Sequence, residues 1–242
     1  MHIECLPIKT RPILPPEQSI YPILEEYLPP LQENDLLLIT SKILAIHQGR
    51  CLKITDTTNK DELIKSEAEC FIPRSEIPSQ AAILTIKENT LIASAGIDES
   101  NANGHYVLWP ENTNNLVKEI CIFLKKRYKL NNLAVIATDS HTMPLRWGVL
   151  GISIGFYGLE PIYDYRGQPD IFGRKLKITQ QNIVDMLAVL GVSVMGEGSE
   201  QTPMAIIRGM PNIQFTDKET YQNFIIPKDM DIYKPLLDRF HY

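Results

Sequence analysis

Residues 132–142 read NLAVIATDSHT, an apolar run that ends abruptly in an acid, a hydroxyl, an imidazole and a second hydroxyl. Seven residues are too few for a typical helix, and alanine, valine and isoleucine suit a strand buried on both faces. The same pattern recurs in Asp35–Thr40 (DLLLIT), Thr90–Ala95 (TLIASA) and Met204–Arg208 (MAIIR), with weaker strand signals at His2–Leu6 and Ala81–Ile86. Each run is followed by polar or glycine residues, so chemistry-bearing side chains gather at strand ends.

Helices are expected in three places. Around Ser19–Tyr27 a short one stands among prolines. Over Thr113–Tyr128, Leu116, Ile120, Phe123, Leu124 and Arg127 recur at helical spacing opposite Lys118, Glu119 and Lys125. From Thr179 to Val194, Thr179 is the expected N-cap, Ile178 and Ile183 the expected staple, and Gly196 the expected stop. Strands and helices do not alternate as a doubly wound sheet requires. The expected fold class is therefore α+β, a mixed arrangement of two intimately associated subdomains. The whole of 1–242 is read as one domain, with an inserted subdomain at roughly 87–171.

The composition sets outer bounds. The 242 residues are 44% apolar and 22% charged, ordinary for a globular protein, and the net charge of −5 argues against a nucleic-acid partner. Four cysteines (Cys5, Cys51, Cys70, Cys121) without CxxC spacing predict neither a zinc site nor a disulfide framework. MHIECLPIKT has no basic leader or apolar core, and no uncharged run reaches the ~18–20 residues that span a bilayer. The longest apolar stretch, Val149 to Leu159, is broken by Gly151, Gly155 and Gly158. No membrane partner and a cytoplasmic location are expected.

Four polar constellations carry the chemistry. TLIASA runs into GIDESNANG, placing Asp98, Glu99 and Asn101 just past a tight turn at Gly96. Asp139 and Ser140 close the strand quoted first. Oxygen ligands of this kind suit Mg²⁺ or Mn²⁺, and the plainer reading is an Asx turn or helix cap. The third is GEGSEQTP after the expected helix, where Gly196 and Gly198 let backbone N–H groups approach a phosphate and Glu197 can reach its metal. The fourth is Ser41-Lys42 at the end of DLLLIT, with Lys9 and Arg11 nearby, a hydroxyl and cations suited to phosphate. No GK[ST], GxSxG or HExxH motif is present. The residues alone point to a metal–phosphate enzyme.

Taken in order, LPIKT, DLLLITSKI, HQGR, ASAGIDESN, ATDS, PLRWGVLGISIGFYGLEPIYDYRG, DIFGRKL and VMGEGSEQTPMAIIRG resemble the coenzyme F420:L-glutamate ligase (F420-0:γ-glutamyl ligase) family up to about residue 209. The resemblance implies a GTP-dependent enzyme that needs Mg²⁺ or Mn²⁺, aided by K⁺, and works as a homodimer. It implies ligation of L-glutamate to a carboxylate of a deazaflavin precursor through an acyl phosphate. Asp98 and Asp139 would bind one divalent ion, and Ser140 and Glu197 a second. Leu6, Pro7, Ile8, Lys9, Ser41, Lys42, Asn101, Met195, Gly196, Gly198, Ser199, Glu200, Gln201 and Thr202 would contact the nucleotide. Arg146 and Arg166 are candidates for holding the glutamate carboxylates, with an ion pair from Arg166 to Asp164 or Asp170 as the alternative.

The chain departs from the family pattern twice. Ile46 stands where the SKAEGR-like segment has lysine, and Thr142-Met143 replaces Gly-Arg. A folate-type acceptor, or a nucleotide-binding regulator without catalysis, are the competing functions these departures raise.

Overall fold

The computed structural model describes residues 2–241. The first half contains β1 (Glu4–Ile8), α1 (Ile20–Tyr27), β2 (Asp35–Thr40), α2 (Ser41–His47), β3 (Cys51–Lys53) and α3 (Lys60–Glu67). Next come β4 (Cys70–Ile72), β5 (Leu84–Lys87), β6 (Thr90–Ala93), β7 (His105–Val107) and α4 (Thr113–Tyr128). The remainder holds β8 (Leu133–Thr142), β9 (Val149–Tyr157), β10 (Ile162–Asp164), β11 (Gln180–Asn182), α5 (Ile183–Met195), β12 (Met204–Arg208) and α6 (Lys234–Leu237). The fold is α+β, as the sequence indicates.

The main sheet runs β1-β12-β2-β8-β9, with β2 and β8 parallel and every other pair antiparallel. The central strands are buried on both faces, which is why their sequences are continuous rather than alternating apolar runs. Leu37, Ile39, Val135 and Ala137 face a core built with α1 and α4. Leu36, Leu38, Ala134 and Ile136 face α5 on the other side. Each fully buried leucine, isoleucine or valine among them contributes roughly 1.5–3 kcal/mol, so this sheet is the rigid frame of the molecule.

A smaller lobe carries the three-stranded sheet β4-β5-β6, the pair β3-β7 and α3, around Ile64, Ile83, Ala95, Ile97 and Tyr106. It meets the frame through α2, whose Ala45 and Ile46 pack on Ala102 and Val107. Residues 87–171 contribute to both parts, β6 to the small sheet and β8 and β9 to the main one.

Several local expectations shift. Strand β1 lies two residues on from the run His2–Leu6, because its pairing with β12 runs from Glu4 opposite Arg208 to Ile8 opposite Met204. Strand β5 begins at Leu84 rather than Ala81. Helix α5 starts at Ile183, not Thr179. Residues 180–182 are drawn into a strand with β10, and the Asn182 side chain accepts from Asp185 N–H to cap the helix. Ile178 stands out in solvent, so it staples nothing. Gly196 does end α5, at φ 79°, with its N–H on the Val192 carbonyl.

Candidate active site

Strand direction explains the convergence. Parallel pairing ends with Thr40 opposite Thr138, so Ser41-Lys42, just past β2, and Asp139-Ser140, where β8 runs on beside β9 alone, lie side by side. The antiparallel partner β12 enters at this same end, because Met204 pairs with Ile39. β1 also finishes there, with Ile8 on Met204. Four chain segments distant in sequence thus meet at one end of the sheet. Between Ala137 and Thr138 the pairing to β9 slips past Ile154, a bulge that re-aims the residues beyond it. Asp139 is the next residue.

The small lobe supplies the opposite wall. Asp98 is fixed by reciprocal backbone bonds with Val107, and its carboxylate accepts from Ser100 N–H (2.8 Å) and Ser100 Oγ (2.9 Å). The Asn101 amide donates to the Gly198 carbonyl at 2.9 Å, joining the lobe to the loop after α5. Between the walls lies a cleft of about 720 Å³. It is lined by Ser41, Lys42, Asp98, Asn101, Asp139, Ser140, Glu197 and all of Met195–Thr202, with Thr10 and Arg11 at its edge.

The two carboxylates are held in different ways. Lys42 Nζ lies 2.7 Å from Asp98 Oδ2 and donates to the Ser100 carbonyl at 2.7 Å. Burial opposes the charge on Asp98, yet the ammonium and the Ser100 donors outweigh it and hold the carboxyl below its ordinary range. Asp139 is dominated by burial, which pushes it up to about 6. The Ser140 N–H (2.7 Å, to Oδ1), the Trp109 indole N–H and the Ser41 hydroxyl counter that rise, and the charge of Asp98 adds to it. That the two acids repel each other marks them as neighbours. Ser140 Oγ in turn donates to Glu197 Oε1 at 2.6 Å.

Trp109 was not legible as a site residue. It is the largest fully buried side chain, yet its N–H reaches the cleft floor. Gly96 makes room for it: its φ is +71°, and a Cβ there would fall inside the indole ring. Arg50 Nε holds the Trp109 carbonyl at 2.7 Å while its other nitrogens pair with Glu67 and Glu111. The indole is therefore locked from behind.

Other expected residues fall elsewhere. Ile8 belongs to the core, and Lys9 is exposed, so the cleft wall starts at Thr10. Arg166 pairs with Asp164 (2.6 Å), the alternative noted above, because a turn two residues long brings guanidinium and carboxylate together. Arg146 sits in the exposed β8–β9 turn and donates to the Leu145 carbonyl. Neither lines the cleft. Glu200 accepts from Gly198 N–H at 2.8 Å, so a carboxylate stands on the loop amide. Ile46, where the family-like segment has lysine, is buried against the cleft.

Among the described residues, no three His, Cys, Asp or Glu side chains converge to hold a metal alone. The donor set of two carboxylates, hydroxyls and Glu197 is all oxygen, which fits a hard cation that takes its remaining ligands from water or phosphate. The four cysteines are free thiols, none of them lining the cleft, and burial raises Cys121 to about 12. No helix of the described residues is long and apolar enough to cross a membrane.

A cleft that gathers acids, hydroxyls and a glycine loop at one sheet end is the candidate active site of an enzyme. The model of the F420-0:Gamma-glutamyl ligase family matches residues 8–209, and the chain belongs to that family. It is 29% identical to the coenzyme F420:L-glutamate ligase of Methanosarcina mazei, over 97% of this chain and 96% of that protein. It is 32% identical to the ligase of the same name from Methanopyrus kandleri, over 74% and 77%. The counterpart in Methanocaldococcus jannaschii is 29% identical over 85% and 86%. This protein is thus an amide-bond-forming γ-glutamyl ligase.

Proposed function

We propose that this ligase joins L-glutamate to a carboxylate of a deazaflavin precursor of the F420-0 type, using GTP and Mg²⁺ or Mn²⁺. The observation that carries this reading is the pairing of Asp98 and Asp139 across a cleft whose third side is the Met195–Thr202 loop. The relatives' names supply the acceptor.

A carboxylate resists attack by an amine because an oxide ion would have to leave. Transfer of the γ-phosphoryl group of GTP to one carboxylate oxygen gives an acyl phosphate and GDP. The glutamate amine then adds at the acyl carbon, phosphate departs with that oxygen, and the ammonium proton is lost to water. Asp98 and Asp139 would hold one metal ion, and Ser140 with Glu197 the second. Bound there, the ions neutralise the triphosphate and the oxygens that gain charge. Ser41, Asn101 and Lys42 flank the same space and orient the phosphates. Arg11 is the guanidinium that the cleft itself offers to the glutamate carboxylates.

The exposed apolar residues Leu145, Trp147, Ile171 and Phe172 support a homodimer, since lone hydrophobics at hairpin tips are covered most simply by a second copy. A K⁺ requirement belongs to the same reading. The replacement of a Gly-Arg pair by Thr142-Met143 beside the site motivates one second reading, in which the acceptor is a folate. Purified protein is offered F420-0 or folate with glutamate, Mn²⁺ and GTP or ATP, and products are weighed. A gain of one glutamyl mass on F420-0 with GTP is expected. Gain on folate alone transfers the assignment to the second reading, and no product with any acceptor marks a nucleotide-binding regulator instead.

A further inference from the structure

Lys42 does more in this cleft than wait for phosphate. Its ammonium sits in an oxygen cage formed by Asp98 Oδ2 at 2.7 Å, the Ser100 carbonyl at 2.7 Å and Ser100 Oγ at 3.4 Å. Among the described residues it is the one cation within ion-pair distance of either cleft carboxylate. Its neighbour Ser41 lines the cleft beside the other acid, Asp139, whose rise its hydroxyl counters. A single dipeptide therefore stands beside both carboxylates of the proposed metal site. Without Lys42, two adjacent acids would face each other in a partly dehydrated cleft with no compensating charge, an arrangement that costs free energy.

We propose that Lys42 is a resident counter-ion that a divalent cation must displace from Asp98, and that the freed ammonium then moves to the incoming triphosphate. The inference rests on the reading of Asp98 and Asp139 as a metal pair. Its consequence is coupling. Metal binding alone strands the ammonium, and the triphosphate alone leaves it tied to Asp98. When both arrive, every charge is paired. Each ligand thus strengthens the other through Lys42 as well as by direct contact, and the coupling is reciprocal. A lysine stem is suited to this, because its point charge swings on a flexible chain with no fixed fork to satisfy.

The test reads Mn²⁺ binding rather than turnover. Free Mn²⁺ is followed by electron paramagnetic resonance during titration of the nucleotide-free protein and its Lys42→Met, Lys42→Gln and Lys42→Arg variants. Removing a positive charge a few ångströms from the ion is expected to tighten Mn²⁺ binding about tenfold or more in Lys42→Met and Lys42→Gln. Lys42→Arg should stay near the parent. A non-hydrolysable GTP analogue should strengthen Mn²⁺ binding more in the parent than in Lys42→Met. Two neutral variants guard against one that misfolds, and circular dichroism confirms each.

Unchanged or weaker Mn²⁺ binding in both neutral variants overturns the proposal. If Asp98→Asn then still abolishes Mn²⁺ binding by the parent, the metal-pair reading survives that failure. If Asp98→Asn binds Mn²⁺ as the parent does, both fall together.

Discussion

Asp98 and Asp139 face the same cleft, yet they come from parts of the molecule with opposite physical character. Asp98 lies on a turn of the small lobe, half open to water, with an ammonium and a serine folded around it. Asp139 rises from the main sheet, half-buried at the cleft wall and held by an indole N–H, its own neighbour's amide and a nearby hydroxyl. One is kept charged by a partner and the other is charged against its surroundings. Environments that push two carboxylates apart in this way mark functional sites more often than structural ones. The lesson concerns where free energy is stored. The lobe acid is comfortable before ligands bind, and the sheet acid becomes comfortable only when a cation arrives.

Removing either acid breaks the comparison most directly. Asp139→Asn and Asp98→Asn are both expected to lower glutamyl transfer by about 10³-fold or more, since each withdraws charge from the ions that stabilise the phosphoryl group. Their stabilities should diverge. Asp139→Asn relieves a dehydrated charge and should melt higher than the parent in the absence of metal. Asp98→Asn leaves the Lys42 ammonium without its carboxylate and should melt lower. Thermal denaturation in chelator, beside initial rates, tests both halves. Equal shifts of melting temperature in the same direction would remove the distinction drawn here.

Trp109→Phe sharpens the comparison on one side only. A smaller aromatic ring stays in the slot while the N–H that aims Asp139 is lost. Groups that orient a metal ligand from behind typically matter 10–100-fold, and a loss of about that size in kcat is expected, with Mn²⁺ affinity falling in parallel. Asp98 is untouched, so the Lys42 exchange should persist. A purely structural role for Trp109 would show instead as a lower melting temperature with unchanged Mn²⁺ affinity.

How much of this was readable beforehand follows from the kind of signal each residue gives. DLLLIT and MAIIR announced themselves as strands with the bounds the fold has, because burial on both faces leaves an unbroken apolar run. Residues 113–128 were equally plain, since one wet face imposes helical spacing. Helix α2 was not, because SKILAIH is buried almost throughout and shows no polar stripe. Asp139 and Ser140 were legible as polar residues closing an apolar strand. That β2 and β8 lie in parallel, and so deliver Ser41 beside Asp139, is a matter of topology that neither segment encodes alone. Trp109 was hidden for a related reason: in sequence it is one more apolar residue, and its N–H acquires meaning only through a partner thirty positions away. Arg146 and Arg166 were read from charge alone, and local geometry decided against their lining the cleft.

The smallest expected effect is the pH dependence of stability in the metal-free protein, and it separates the two acids by sign. Asp139 has a folded pKa raised to about 6 from 3.8. Its folded form therefore binds more protons than the unfolded chain between those values, so its contribution is greatest below about pH 4 and is lost as pH rises through 6. Asp98 is lowered in the folded state, so its contribution is present above its unfolded value and is lost as pH falls. Burial also raises Glu88 and Asp185, and their effect cancels when each variant is compared with the parent at the same pH. Asp139→Asn should then exceed the parent by about 1–3 kcal/mol at pH 8, after allowing for the water an open cleft leaves on the carboxyl. That advantage should shrink to nothing by pH 4. The deficit of Asp98→Asn should follow the opposite acid–base logic, largest at neutral pH and vanishing only under more acid conditions. Urea titrations at four or five pH values resolve differences of this size. A constant gap between Asp139→Asn and the parent across that range would mean that the sheet carboxylate is as well solvated as the one on the lobe.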